Sequence, residues 1–144
     1  MNASGGDEVL KEARGALLDA LEALREHRDS VIVIGAQAIY LHTGVARVAL
    51  AEATKDSDLA LDASSLGENP LVEEAMTAAG FYLDPVSRQP GAWLNPKGIP
   101  VDLMVPEALA GIGSRRSGKI PPHDDKATRR AVGLEAAIRD HARD

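Results

Sequence analysis

The sequence predicts a small α/β domain of the α+β kind, a mixed β-sheet flanked by helices. Three observations carry that prediction. Leu10, Ala13, Leu17, Leu21 and Leu24 recur at helical spacing near the start of the chain. Further helical patterns then alternate with short apolar runs such as Val31-Ile32-Val33-Ile34. Finally, Asn95-Pro96-Lys97-Gly98 has turn chemistry and separates two apolar runs, as in a hairpin. Alternation followed by a hairpin builds a layered sheet with helices against it. The 144 residues fit one domain with a sizeable core. Its main body spans about 7–106, followed by a basic loop and a C-terminal helix over about 107–144. Aromatic residues make up only 3% of the chain, so the core is built from Leu, Val, Ile and Ala.

The first helix is expected from about Asp7 to Arg28, with Asp7 as its N-cap. Val31 to Ile34 is too short and too β-branched for a helix and reads as a buried strand that ends at Gly35. A helical pattern resumes from Ala36 to His42, and Gly44 suits the position just past a helix end. Residues 45–55 fit either a short helix or a draped loop. A strand follows from about Lys55 to Leu61. Asn69 is the expected cap of the next helix, with Pro70 at its first position, acidic Glu73 and Glu74 in its first turns and Gly80 at its stop. Phe81-Tyr82-Leu83, Gly91 to Leu94 and Ile99 to Val105 read as strands, the last starting at an edge or bulge because of Pro100. The Gly-, Ser-, Arg- and Pro-rich stretch from Ala110 to Asp124 reads as a mobile loop, and a last helix is expected from about Asp125 to His141.

The composition narrows the function classes. There is no cysteine, which removes disulfides and thiolate metal sites. No apolar run approaches the roughly 20 residues that span a bilayer. The first residues lack the basic-then-apolar pattern of a signal peptide, so the expectation is a cytoplasmic protein without a membrane partner. The net charge of −6 argues against a general nucleic-acid binder. That charge is uneven. From Gly113 to Asp144 there are eight Lys/Arg and five Asp/Glu, a balance of +3; the preceding residues carry eight and 17, a balance of −9. A basic tail beside an acidic body suits a polyphosphate or an RNA backbone, and equally suits a helix with a charged outer face.

Three features carry chemistry. In Thr54-Lys55-Asp56-Ser57-Asp58-Leu59, strand alternation points Asp56 and Asp58 one way and Ser57 and Leu59 the other. Neighbouring carboxylates repel unless a cation lies between them, so the pair suggests a Mg²⁺ site, against the alternative of a solvated edge. In Val31-Ile32-Val33-Ile34-Gly35-Ala36-Gln37-Ala38 a strand runs through a glycine into a helix, and helix-start N–H groups attract anions. A plain tight turn explains the same glycine. In Ile99-Pro100-Val101-Asp102-Leu103-Met104-Val105, Asp102 is the single acid in an apolar strand, which requires a partner if it is buried. A solvent-facing Asp on a half-exposed hairpin is the other reading.

Taken together, the strand-Gly-helix turn, the hDxDh strand and the hDh strand resemble, in order and spacing, the polymerase β-like nucleotidyltransferase superfamily over about Asp7 to Val105. Gly35-Ala36-Gln37-Ala38-Ile39-Tyr40-Leu41-His42 followed by Thr54-Lys55-Asp56-Ser57-Asp58-Leu59 looks like the AbiEii-type abortive-infection and toxin enzymes within it. The resemblance implies a transfer of nucleoside monophosphate from a nucleoside triphosphate to a hydroxyl, with two Mg²⁺ ions. Asp56, Asp58 and Asp102 would be the metal-binding and catalytic groups, with Asp102 helping to activate the attacking hydroxyl. Gly35, Ala36 and Gln37 would hold the β/γ-phosphates. The implied acceptor is an RNA or tRNA 3′ end, and the implied partner a cognate antitoxin or toxin protein. A protein side chain or a small molecule such as an antibiotic is an alternative acceptor, and a degenerate module that binds nucleotide or partner without turnover is a third reading. Family members often carry Ser after the turn glycine, where this chain has Ala36. Many also carry a larger C-terminal helical region, so this chain reads as a minimal or truncated form whose substrate recognition would draw on a partner or a dimer. Lys55, Arg115, Arg116 and Lys119 are candidate phosphate or RNA contacts, and each also fits ordinary surface charge. Lys126, Arg129 and Arg130 would open the last helix, where cations oppose the helix dipole, which favours an anionic partner. Asp62 lies about 13 Å along the strand from Asp58, too far for one metal centre, and reads as a turn residue. His42 and His123 lack partners at zinc-ligand spacing and read as structural or exposed.

Overall fold

The computed structural model describes residues 4–34, 57–111 and 116–131. Helix α1 runs over Ser4–Ala23, and a 3₁₀ segment, Arg25–Ser30, leads into strand β1, Val31–Ile34. Strand β2 is Ser57–Leu61, helix α2 is Val72–Ala78, and strands β3 (Tyr82–Leu83), β4 (Ala92–Leu94) and β5 (Pro100–Pro106) follow. Strand β6 is Arg129–Ala131. The strands form one mixed sheet in the order β1-β2-β5-β4-β3, with β6 also on β5. β2 and β5 are parallel, β1 is antiparallel to β2, and β4 is antiparallel to β5 and to β3. This is the small α+β sheet expected from the sequence.

Alternation along β2 and β5 sorts the sheet into two faces. Leu59, Leu61, Val101, Leu103 and Val105 are buried and belong to one core with Ala16, Leu17 and Ala20 of α1, Leu24 just after it, and Val72 and Met76 of α2. Each fully buried Leu or Val in that layer contributes about 1.5–3 kcal/mol of transfer free energy. The opposite face carries Ile32, Ile34, Asp58, Ala60, Asp102 and Met104, by register.

β5 shares one edge between two short strands. β4 pairs with its first half, Pro100 to Asp102, and β6 runs parallel to its second half, Met104 to Pro106. Gly91 sits at the changeover. Its N–H donates to the Lys126 carbonyl and its carbonyl accepts from the Leu103 N–H. It has φ +76°, and a Cβ there would lie 2.3 Å from the Leu103 carbonyl oxygen and 2.7 Å from the Arg129 nitrogen. Only glycine fits both the backbone conformation and the space.

Several expectations are corrected. α1 begins at Ser4, so Asp7 lies inside it and is not its N-cap. It ends at Ala23, and Leu24, with φ −99° and ψ 20°, leads into the 3₁₀ segment, which is itself kinked at the buried His27 (φ −113°, ψ 17°). α2 starts at Val72 and not at Pro70, with Leu71 as the capping residue in place of Asn69. The reason is a long-range cap: the Val72 N–H donates to His123 Nδ1 (3.0 Å), while the Pro70 carbonyl accepts from His27 Nε2 (2.7 Å). The stop at Gly80 holds, since Gly80 and Phe81 donate back to Thr77 and Met76 with Gly80 at φ +92°.

The largest difference is at the end of the chain. The residues expected to open a last helix form a turn and then β6, because the exposed half of β5 needs a partner and tertiary pairing overrides helix propensity. The described part of the 110–124 stretch is not a loose loop. Lys119 N–H donates to the Ala110 carbonyl, Ser117 bridges to Arg129, and His123 is buried. Trp93 Nε1 donates to the Ala127 carbonyl (3.0 Å), fastening the turn before β6 to the core. Residues 36–55 and 132–144, which include two expected helices, lie outside the described residues.

Candidate active site

The site is organised by strand register. Asp58 of β2 is the register partner of Asp102 of β5, Ile34 of β1 is the partner of Asp58, and Ala92 of β4 is the partner of Asp102. One row across the sheet therefore reads Ile34, Asp58, Asp102, Ala92. Register partners on neighbouring strands share a face, with backbones about 4.8 Å apart. The two acids consequently stand side by side, away from the leucine and valine layer. Neither is fully exposed: Asp102 has a side-chain exposure of 16%, and Oδ1 of Asp58 is shielded from solvent. Two carboxylates in that position oppose each other unless positive charge is close.

Positive charge is supplied by Arg129. On the next row, Ile32, Ala60, Met104 and Arg129 are successive register partners. From that position the Arg129 side chain leans back to Asp102, with Nη2 3.2 Å from Oδ2, and its Nη1 donates to Gln89 Oε1 (2.9 Å). Arg130 points to the other side, donating to the carbonyls of Glu107 and Gly111. Sequence reasoning missed Arg129 as a neighbour of Asp102 because it placed the residue on a helix. Two adjacent arginines carry no period, so nothing local in the sequence marks the strand there.

The remaining candidates divide clearly. Asp58 and Asp102 are brought together. Arg116 and Lys119 are exposed and lie on the segment next to β6, where the Arg116 carbonyl accepts from the Arg130 N–H. Gly35, Ala36, Gln37, Lys55, Asp56 and Arg115 lie outside the described residues, as does His42. β1 nevertheless ends at Ile34, the register partner of Asp58, and Gly35 follows it directly in the chain. Asp62 is a turn residue, as expected: its Oδ1 accepts from the Ser64 N–H and Oγ. His123 is structural.

Divalent cations fit the donor chemistry of the acid pair. Mg²⁺ prefers carboxylate oxygens, is held by one or two of them, and leaves its other positions to water and substrate phosphates. Two carboxylates sharing a face meet that need, and Asp56 stands two residues before Asp58 in the sequence. Among the described residues no group of three or more His, Asp or Glu side chains is placed to hold an ion. Two open clefts of about 400 Å³ and 430 Å³ lie beside α1, one against the 95–99 turn and one against α2; neither is lined by Asp58 or Asp102. No described helix is long and apolar enough to cross a membrane. Comparisons with protein-family models, curated proteins and solved structures return no match.

Proposed function

We propose that the protein is a Mg²⁺-dependent nucleotidyltransferase of the polymerase β-like kind, close to the AbiEii type. The observation that supports the reading most is the register pairing of Asp58 with Asp102 on adjacent parallel strands. Two acids from distant parts of the sequence arrive on one face of a central sheet, at the level where β1 delivers the chain to Gly35. Carboxylates brought this close call for positive charge beside them, which a divalent cation would supply.

In this reading Asp58 and Asp102, with Asp56, hold the metal ions. When bound, divalent cations neutralise charge on the attacking and leaving oxygens of a phosphoryl transfer. Asp102 orients the acceptor hydroxyl and takes its proton. The new bond forms between that oxygen and the α-phosphorus, the bond from the α-phosphorus to its bridging oxygen breaks, and pyrophosphate leaves. Gly35, Ala36 and Gln37 supply backbone N–H groups to the β/γ-phosphates. The acceptor is an RNA 3′ end, with a protein side chain or small molecule as the alternative. Incubation with labelled nucleoside triphosphate, Mg²⁺ and total tRNA tests the reading. Label is expected on the RNA and absent with Asp58→Asn and Asp102→Asn. Undiminished labelling by those two variants would remove the site.

A second reading has its own observation. The Arg129–Asp102 ion pair already offsets one acid, which suits a non-catalytic module that binds nucleotide or a protein partner. Calorimetry with Mg²⁺ and nucleoside triphosphate separates the two. Tight binding with no transfer to RNA, protein or small-molecule acceptors favours the module.

A further inference from the structure

Arg129 combines a fixed backbone with a head group on the carboxylate face. Its backbone is held by the parallel pairing of β6 with β5, by the bridge to Ser117 and by close approach to Gly91. Its guanidinium, on a side chain 23% exposed, is engaged by one bond to Asp102 and one to Gln89, through different nitrogens. Five N–H donors are available to a guanidinium, so it can exchange one acceptor for another without moving its stem. A divalent cation and this guanidinium both seek the oxygens of Asp102, and they repel each other there. A triphosphate brings oxygens that match the guanidinium fork better than a single carboxylate oxygen does.

We propose that Arg129 is the charge-exchange residue of this site: it neutralises Asp102 when no cation is bound and passes to the phosphate oxygens of the incoming metal-bound triphosphate. The proposal rests on the nucleotidyltransferase reading. It gives the ion pair a function, since cation without nucleotide is disfavoured and the complete metal–nucleotide substrate is favoured. Gln89 tethers the guanidinium during the exchange.

The distinguishing signature is two affinities that move in opposite directions. Mn²⁺ binding to the full chain is measured by electron paramagnetic resonance, alone and with a non-hydrolysable triphosphate analogue. Arg129→Gln is expected to bind Mn²⁺ alone roughly tenfold more tightly and the Mn²⁺–analogue complex roughly tenfold more weakly, the scale of losing one partly exposed ion pair. Arg129→Lys, which keeps the charge but not the fork, is expected to restore part of both. Gln89→Leu, which removes only the tether, provides a second variant should Arg129→Gln fail to fold; a smaller shift in the Arg129→Gln direction is expected. Both affinities unchanged, or both moving the same way, would overturn the role of Arg129. If Asp58→Asn and Asp102→Asn lose Mn²⁺ in that case, the metal site stands without it. If those variants bind Mn²⁺ as the parent does, the metal site itself fails and the exchange falls with it.

Discussion

Two polar regions of this molecule obey opposite rules. At the junction of α1 and α2, His27 and His123 are 6% and 5% exposed and stand edge to face, with ring centroids 6.0 Å apart. His123 is fixed as the neutral Nε2–H tautomer, because Nδ1 accepts from the Val72 N–H and Nε2 donates to the Gly67 carbonyl (2.8 Å). His27 Nε2 donates to the Pro70 carbonyl, and close by Ser30 and Ser65 hydroxyls bond each other (2.8 Å). Donors meet acceptors there. On the opposite face of the sheet, Asp58 and Asp102 are held side by side as like charges with Arg129 leaning across. The first arrangement stabilises the fold. The second depends on positive charge beside the carboxylates, and in the reading proposed above it serves to hold metal ions.

The largest expected effect breaks the contrast if it fails. Asp58→Asn and Asp102→Asn should each lower nucleotide transfer about 10³-fold or more, the scale of several kcal/mol of transition-state charge stabilisation. Asp58→Asn should meanwhile leave stability unchanged within about 1 kcal/mol, because it keeps the side chain's shape and an oxygen acceptor and removes only a charge. Urea unfolding beside the transfer assay reads both quantities. A stability loss above about 3 kcal/mol would mean that the acid pair is structural, like the histidines.

Gly91→Ala probes what the two regions share. The glycine joins β4 and β6 to β5 and so holds both Asp102 and Arg129 in register. Positive φ and overlap with the Leu103 carbonyl predict a loss of about 3–4 kcal/mol. A urea midpoint close to that of the parent would show that β6 can separate from β5 at little cost, and the placement of Arg129 would lose its support.

His123→Ala comes next. It strips the Val72 N–H and the Gly67 carbonyl of their partners, each worth about 1–3 kcal/mol when left buried and unsatisfied. A total of about 2–4 kcal/mol is expected in urea unfolding, with transfer by the folded fraction intact. Loss of transfer without loss of stability would place chemistry at the histidines and invert the contrast.

Much of this organisation was legible in the sequence where the cause is local. Alternation along about 55–61 and 99–105 placed Asp58 and Asp102 on their strands, and Gly80 and the Asn95–Gly98 turn marked their own stops through backbone conformation. What failed depended on distant partners. Asn69 looked like a cap, but a ring 51 residues away caps the helix at Val72. Arg129 looked like a helical residue, but the open half of β5 drew it into a parallel strand. His123 and Gly67 carry no pattern that announces their bond. Long-range pairing selects among locally acceptable conformations, and a single sequence displays only the local part of that choice.

The smallest effect tests the electrostatics of the junction. Glu73 lies in the first turn of α2, and its Oε1 accepts from the Asp124 N–H at an exposed position (3.0 Å). Glu73→Gln keeps an oxygen acceptor there and removes only the charge. The remaining loss is the interaction of a carboxylate with the helix N-terminus, about 0.5 kcal/mol, and it should shrink as salt is raised. Paired urea titrations at low and high ionic strength resolve that behaviour. If the variant instead lost more than about 2 kcal/mol, independent of salt, charge would be holding α2 in place. The junction would then rest on ionic attraction, as the Arg129–Asp102 pair does, and the distinction between a hydrogen-bonded junction and a charged face would not survive.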